Sequence, residues 1–492
     1  MKQSAAADSI FFTIAWTLTI LLAVFRLIFI STTMVIDDEA YYYQFAAHLS
    51  TGYIDHGPMV AILIRIFTEL FGANGFGIRF GSVFLQLLLS LIVVRFGNRE
   101  LGHPTGDILG LTVLINLLFH TNSIIMTPDV PLTFFAIITI ILYHQAYFKD
   151  PKYFLPAGVF MGLALLSKIS AIFPFVGIAL LPWVVKEKRA LLKDSRYAIS
   201  FLLALVVYSP FIFWNLRHDL AFFRFQGAHI AQVGSLGSFF ALWLALAFLI
   251  GPILFYYTIV LPFRTIFSKP ADMSLKKDRF RMIYFSLTAL VPLIYFVVQS
   301  IFTRMEVNWP APVFFGGIFL FAFMLRTNHK KRARLLSAQS LWSLAFILII
   351  SVQTIVPIIP LKGKSDPTRR YFLYQCFPGD LQTFLNEYPL SSKLRIVSNN
   401  YQIPSMVNLY APQPVKATCL SIGYHETFYS FLYPDEELVG DNFLFLWKGT
   451  EFPEKLRSYF SDIEFIKSFT SMRRDKPVQS YSLWLVKNYT GK

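Results

Sequence analysis

The strongest constraint on this chain is a repeated pattern of apolar runs of about twenty residues separated by short loops, the length at which a helix crosses the hydrocarbon core of a bilayer. The first extends from Ile10 to Ile30. About eleven such runs can be marked, near 10–31, 79–97, 106–123, 128–147, 152–167, 170–186, 196–214, 238–262, 281–301, 309–326 and 336–359. The fifth and sixth are short enough to be re-entrant. Only 15% of the residues are charged, against about 25% in a soluble domain, so little of the surface faces water. The sequence therefore predicts an α-helical polytopic membrane protein.

The basic residues give an independent reading of topology. A net charge of +15 would suit nucleic acid, but the charge lies in short clusters between apolar runs. There it acts as a topology signal and an attraction for anionic lipid. With the N-terminus inside, the inner loops carry clusters such as Lys186, Lys188, Arg189 and Lys193, or Lys330, Lys331, Arg332 and Arg334. The opposite loops hold only scattered cations, among them Arg65, Arg79, Lys168, Arg217, Arg224 and Arg304. An odd span number puts the C-terminal segment on the same side as the loop after the first run. No small-residue cleavage site follows that run, which reads as a signal anchor.

Two domains are expected: a membrane domain over 1–360 and a small extracytoplasmic α/β domain over 361–492. The first outside loop, 32–78, contains an apolar stretch at 59–67 too short and too basic to span, which fits an amphipathic helix in the interface. After Pro360 the composition changes. Leu394 to Ser398, Phe443 to Trp447 and Ser480 to Val486 look like strands, and Pro453 to Phe460 looks helical. About 130 residues suffice for an independent core. Both cysteines, Cys376 and Cys419, lie here; a disulfide and two unpaired core thiols are both open.

The unusual polar clusters all fall on the outside face. They are Asp37-Asp38-Glu39 with Tyr41-Tyr42-Tyr43; Asp55-His56-Gly57-Pro58; His120-Thr121-Asn122 with Thr127-Pro128-Asp129; Ser167-Lys168; Trp214-Asn215 with Arg217, His218, Asp219, Arg224, Gln226 and His229; and Arg304, Glu306, Asn308 and Trp309. Ionisable groups at a membrane boundary are costly to place and point to function. Each has a bland alternative: Asp129 as a helix cap, Lys168 as a snorkelling anchor, His218-Asp219 as an exposed turn. Together they suit an enzyme handling an anionic, lipid-borne substrate. Carboxylates supply a base for a hydroxyl nucleophile, and Lys and Arg hold a phosphate leaving group. The aromatic residues suit sugar stacking or an interfacial belt.

At this point the chain resembles the protein O-mannosyltransferase-like branch of the GT-C membrane glycosyltransferases, a branch that includes the lipid A aminoarabinose transferase and bacterial transferases that decorate lipopolysaccharide core. The resemblance is carried by Asp38-Glu39-Ala40-Tyr41-Tyr42, Gly52-Tyr53-Ile54-Asp55-His56-Gly57-Pro58, Met126-Thr127-Pro128-Asp129, Ser167-Lys168, Trp214-Asn215 and Glu306-Val307-Asn308-Trp309-Pro310. It implies a GT-C type fold, a polyprenyl (undecaprenyl) phosphate sugar donor and transfer with inversion. It implies Asp38 as catalytic base, with Glu39 and Asp129 as further catalytic carboxylates. Lys168 is implied as a contact for the donor phosphate, and His56, Tyr42, Arg217, Arg304, Glu306 and Asn308 are expected to bind substrate or phosphate. Where the aminoarabinose transferase has Glu-Lys-Pro-Pro, this chain has Asp55-His56-Gly57-Pro58. Asp55 is thereby implied as a metal ligand; His229 is taken as a second candidate ligand, and a divalent metal is the one cofactor expected.

The expected activity is sugar transfer to a lipid A or lipopolysaccharide core acceptor at the periplasmic face of a bacterial inner membrane. One alternative is a protein O-mannosyltransferase, although no outside loop is long enough for the large lumenal domain common in eukaryotic members. Another is a transporter of lipid-linked sugars, a class that favours internal repeats and midplane polar residues; here the polar residues sit at one face and the sequence repeats nowhere.

Overall fold

A computed structural model describes residues 2–230, 233–267, 276–361, 365–387, 394–411, 415–423 and 425–491. The chain opens with a long helix, α1 (Lys2–Thr32), followed by α2 (Asp37–Ala47), α3 (Met59–Phe71) and α4 (Gly75–Phe96). Then come α5 (Thr105–Ile115), α6 (Leu117–Thr121), α7 (Asp129–Phe148), α8 (Phe154–Ser167) and α9 (Ile172–Val184). Next are α10 (Ser195–Arg217), α11 (Ala221–Ile230), α12 (Leu236–Ile250) and α13 (Pro252–Phe267). The last long ones are α14 (Lys276–Phe302), α15 (Pro312–Leu325) and α16 (His329–Ile355).

Eleven uninterrupted spans are not found among the described residues. Five helices are long and apolar enough to cross a membrane alone, and counting bent pairs as single spans brings the number to at most eight. Hydropathy cannot see the reason, which is that several runs break. The run 238–262 is two helices meeting at 111°, because Gly251 takes φ +87, a left-handed value suited to glycine, and Pro252 starts the next helix. The run 106–123 breaks at Asn116, whose backbone is extended between α5 and α6.

A broken helix in a bilayer must satisfy its freed backbone groups internally, and buried side chains do this here. Arg26 of α1 donates to the Leu114 carbonyl at the end of α5, 2.6 Å, and its Nε lies 3.3 Å from His120 Nδ1. Asn116 donates to the Ile250 carbonyl at the second break, 2.6 Å. Gln339 donates to the same carbonyl at 2.7 Å and accepts from Leu254 N at 3.1 Å. One polar network thus closes both breaks.

Contacts group the chain into two compact units, each discontinuous in sequence. The first comprises the residues up to Ile28, His56–Val60 and Phe80–Leu348; the second comprises Phe29–Asp55, Ala61–Arg79 and Ile349–Lys492. The second unit therefore takes in most of the first loop together with the C-terminal segment. It contains a five-stranded sheet, β1 (Arg395–Ser398), β2 (Ala417–Cys419), β3 (Phe443–Trp447), β4 (Asp462–Arg473) and β5 (Lys476–Lys487). The strand order is β2-β1-β3-β5-β4, with β2, β1 and β3 parallel and β5 and β4 antiparallel. Three further helices, α17 (Gln382–Glu387), α18 (Gln402–Tyr410) and α19 (Phe428–Leu432), belong to it. Val397, Phe443, Phe445, Leu456 and Val486 are buried in its core. The stretch expected to be helical near 453–460 is a 3₁₀ turn, Glu454–Tyr459. Cys376 and Cys419 are buried and unpaired.

Candidate active site

The three carboxylates of Asp37-Asp38-Glu39 form the first turn of α2, where unsatisfied backbone N–H groups favour negative charge. Each then meets a different environment. Glu39 is fully enclosed with Arg79: guanidinium Nε donates to both carboxylate oxygens at 2.8 and 2.9 Å, and Nη2 donates at 2.5 Å. Arg79 also donates to the Thr33 and Met34 carbonyls, and Glu39 accepts from Ile36 N at 3.0 Å. Glu39 thereby fixes the entry of the chain into α2 and is shielded from any substrate.

Asp37 and Asp38 share a partner that the sequence did not reveal, Arg370 of the C-terminal segment. Arg370 Nε donates to Asp37 Oδ1 at 3.1 Å and Nη2 also bonds that atom. The same Nη2 donates to Asp38 Oδ2 at 2.7 Å. Asp37 Oδ1 additionally accepts from Asp38 N at 3.2 Å. The Asp37 side chain is 10% exposed and that of Asp38 30%. Loss of water around Asp38 raises its pKa above the ordinary carboxylate value, with the Arg370 cation opposing and the adjacent Asp37 charge adding to the rise.

The rest of α2 is anchored by aromatic packing. Tyr41 is buried, meets the Tyr401 ring at a tilt of 39° with centroids 4.2 Å apart and accepts from Phe428 N at 3.0 Å. Phe45 stacks on Tyr53 at 4.0 Å. Tyr42 is half-buried beside Tyr41. Asp55 is half-buried in the loop before α3 and its charge reaches the Tyr41 and Tyr53 phenols.

In the first unit a second cluster assembles. Lys168 closes α8 with an extended backbone, and its Nζ donates to Asp129 Oδ1 at 2.9 Å. Asn308 donates to Asp129 Oδ2 at 2.6 Å. Asp129 begins α7 and is 5% exposed, Lys168 11%. Both oxygens of Asp129 are thus occupied, and the carboxylate orients a cation and an amide. His56 is half-buried. Its neighbour Gly57 lies against the end of α8 so closely that a Cβ there would overlap the Leu166 carbonyl. The glycine therefore seats the His56 loop beside the residues leading to Lys168. Arg217, Arg304 and Glu306 are exposed at loop or helix ends.

Among the described residues no group of three or more His, Cys, Asp or Glu side chains could hold an ion, and the His229 side chain lies outside the described residues.

The apolar helices define a class, a multi-pass membrane protein, in which Asp37 and Asp38 begin α2, Asp129 begins α7 and Lys168 closes α8. Residues 55–214, about a third of the chain, match the family described as dolichyl-phosphate-mannose-protein mannosyltransferase, and the activity is that of a glycosyltransferase. It is 27% identical over 342 residues to the lipid A galacturonosyltransferase RgtD of Rhizobium johnstonii, covering 68% of this chain and 69% of that protein. It is 24% identical over 336 residues to an uncharacterised protein of Aquifex aeolicus, covering 65% and 64%. In fold it is similar to ArnT from Cupriavidus metallidurans bound to undecaprenyl phosphate, with a TM-score of 0.64 at 12% identity over 95% of this chain and 97% of that one. The apo form of the same protein gives 0.61 at 14% identity over 98% of both chains.

Proposed function

We propose that this protein transfers a sugar from an undecaprenyl phosphate-linked donor to a hydroxyl of lipid A, at the periplasmic face of a bacterial inner membrane, with Asp38 as the general base. The likeness to a lipid A galacturonosyltransferase supports the acceptor. The fold shared with a protein crystallised with undecaprenyl phosphate supports the donor. The carrying observation for the base is the contrast within α2. Asp37 Oδ1 receives three hydrogen bonds and Glu39 is enclosed. Asp38 is the most exposed of the three and, among the described residues, accepts through Oδ2 alone.

In the reaction the acceptor oxygen attacks the anomeric carbon, its proton passes to Asp38, and a new C–O bond forms as the bond to the phosphate oxygen breaks. The polyprenyl phosphate leaves with the electron pair, and attack opposite to it inverts the configuration. Lys168, held by Asp129 and Asn308, offers a fixed cation for the phosphate, whose negative charge rises as it departs. Arg217 and Arg304 are exposed cations on the same loops' side of the sequence-derived topology and serve as further phosphate contacts. His56 and Tyr42, each half-buried, are proposed as further substrate contacts.

Detergent-purified protein incubated with lipid A and undecaprenyl phosphate-linked galacturonic acid, with mannose and aminoarabinose donors in parallel, tests this reading. A mass increase of lipid A by one sugar is expected. Transfer to a Ser/Thr peptide and none to lipid A would favour a protein acceptor, consistent with the family description over 55–214. No transfer from any donor would overturn the reading.

A further inference from the structure

The C-terminal segment contributes directly to the surroundings of the reactive carboxylate. We propose that Arg370 is a positioning residue for the transfer reaction: its guanidinium bridges Asp37 and Asp38, orients the Asp38 carboxylate and keeps it in the ionised form that accepts the acceptor's proton. This rests on the reading of Asp38 as base.

The geometry supports a built arrangement. Arg370 lies in the 3₁₀ turn Pro367–Phe372, which is held at both ends. Before it, Asp366 caps the turn at Thr368 N, 2.9 Å, and pairs with Arg473 at 2.7 Å. Beside it, Arg369 donates to the Val478 carbonyl of β5 at 2.8 Å. After it, the Tyr371 ring meets Phe29 edge-on at 5.8 Å and the Arg79 guanidinium at 5.6 Å, and Tyr481 donates to the Leu373 carbonyl at 2.9 Å. Arg370 is therefore presented by a tethered backbone, although its own side chain is 44% exposed.

The bonding is divided unequally, and that division has a chemical consequence. Nη2 bonds both carboxylates, and Nε bonds Asp37. Asp37 thus fixes the guanidinium, and the guanidinium fixes one oxygen of Asp38. Two adjacent carboxylates without the cation would repel, and one would hold a proton in the working pH range. The charges facing Asp38 are Asp37 and Glu39 on its own helix and Arg370 on the packed segment. Arg79 of α4 neutralises Glu39. Among the titratable neighbours, the Tyr371 and Tyr374 phenols are held protonated, their pKa values raised by burial, as is that of Tyr481 on β5. Arg370 is the cation in direct contact with Asp38.

The test is the pH profile of turnover in the lipid A assay, using the galacturonic acid donor, for wild type, Arg370→Gln, Arg370→Lys, Asp37→Asn and Asp38→Asn. A base works only when ionised, so a raised pKa moves the acid limb to higher pH. Arg370→Gln should move that limb up by about one unit or more, a tenfold or greater loss on the acid side, with much less loss well above the limb. Arg370→Lys should restore most of the limb. Asp37→Asn, which removes a like charge, should move it the other way. A purely structural role would lower turnover evenly across pH. Limbs of Arg370→Gln and wild type that superimpose, with Asp38→Asn inactive, would overturn the positioning role and leave the base assignment standing. Full turnover by Asp38→Asn would remove both. If Arg370→Gln cannot be recovered folded, the shift in Asp37→Asn decides, and an unmoved limb there counts against the proposal.

Discussion

Lys168 Nζ lies 2.9 Å from Asp129 Oδ1, so the end of α8 and the start of α7 are joined by one buried charge pair. This relationship changes what each residue can do. Asp129, with Asn308 on its other oxygen, is committed to holding Lys168. Lys168→Ala should weaken donor use about ten- to a hundred-fold, the range expected for loss of one charge-assisted contact. Asp129→Asn should have a smaller effect on donor use, because the cation remains. The double variant should be no worse than Lys168→Ala, which a donor titration of all three variants measures directly. Full activity of Lys168→Ala at low donor concentration would reduce the residue to an interfacial anchor.

Glu39 and Arg79 are both fully enclosed, so breaking one side strands a buried charge. Glu39→Gln should lower the stability of the detergent-solubilised protein by about 3–5 kcal/mol. The loss should appear in unfolding experiments before any assay of activity. A variant of unchanged stability would mean that water reaches the pair.

Gly57 is expected to be intolerant of substitution for a steric reason. A methyl group there overlaps the Leu166 carbonyl, and overpacking at a tight contact typically costs about 1–3 kcal/mol. Gly57→Ala should displace the His56 loop and reduce turnover, while substitutions at nearby exposed Thr51 are tolerated. Turnover of Gly57→Ala equal to wild type would show that the loop can shift without consequence.

The Arg370 contacts with Asp37 and Asp38 predict that the first loop and the C-terminal segment lie on one side of the bilayer. Cysteines introduced at Thr51 and Lys455, both exposed, should react equally with an impermeant thiol reagent added to sealed spheroplasts. The native thiols should stay silent, since both are buried and burial pushes the Cys376 pKa up to about 11. Labelling at one position without the other would contradict the shared side.

Much of the fold was legible because bilayer physics is simple. Apolar length and basic loops announced a multi-pass helical protein, and the Asp-Glu motif drew attention to α2. The breaks at Asn116 and Gly251 were hidden, because hydropathy averages over a kink while the backbone groups are satisfied by Arg26, Asn116 and Gln339 from elsewhere in the sequence. β2 and β4 also escaped notice: β2 has three residues, and β4 is largely exposed with no clean alternation. Glu39 reads from the motif alone as a catalytic carboxylate, because its partner Arg79 stands in the sequence only as a scattered cation of the outside loops. Arg370 could not be found by spacing, since it lies 332 residues from Asp38. The only local hint was a pair of arginines just after Asp366-Pro367.

Asp38, rather than Asp37, is proposed to take the proton from the acceptor hydroxyl. The most direct measurement is turnover of Asp38→Asn and Asp37→Asn in matched membranes, with donor binding measured alongside. Asparagine keeps the size and hydrogen-bonding shape but cannot accept the proton. Asp38→Asn should retain expression and donor binding while turnover falls about 10²–10⁴-fold, and Asp37→Asn should remain active with a shifted acid limb. An inactive Asp37→Asn beside a fully active Asp38→Asn would move the base one residue back along the helix. Full activity in both would contradict the mechanism.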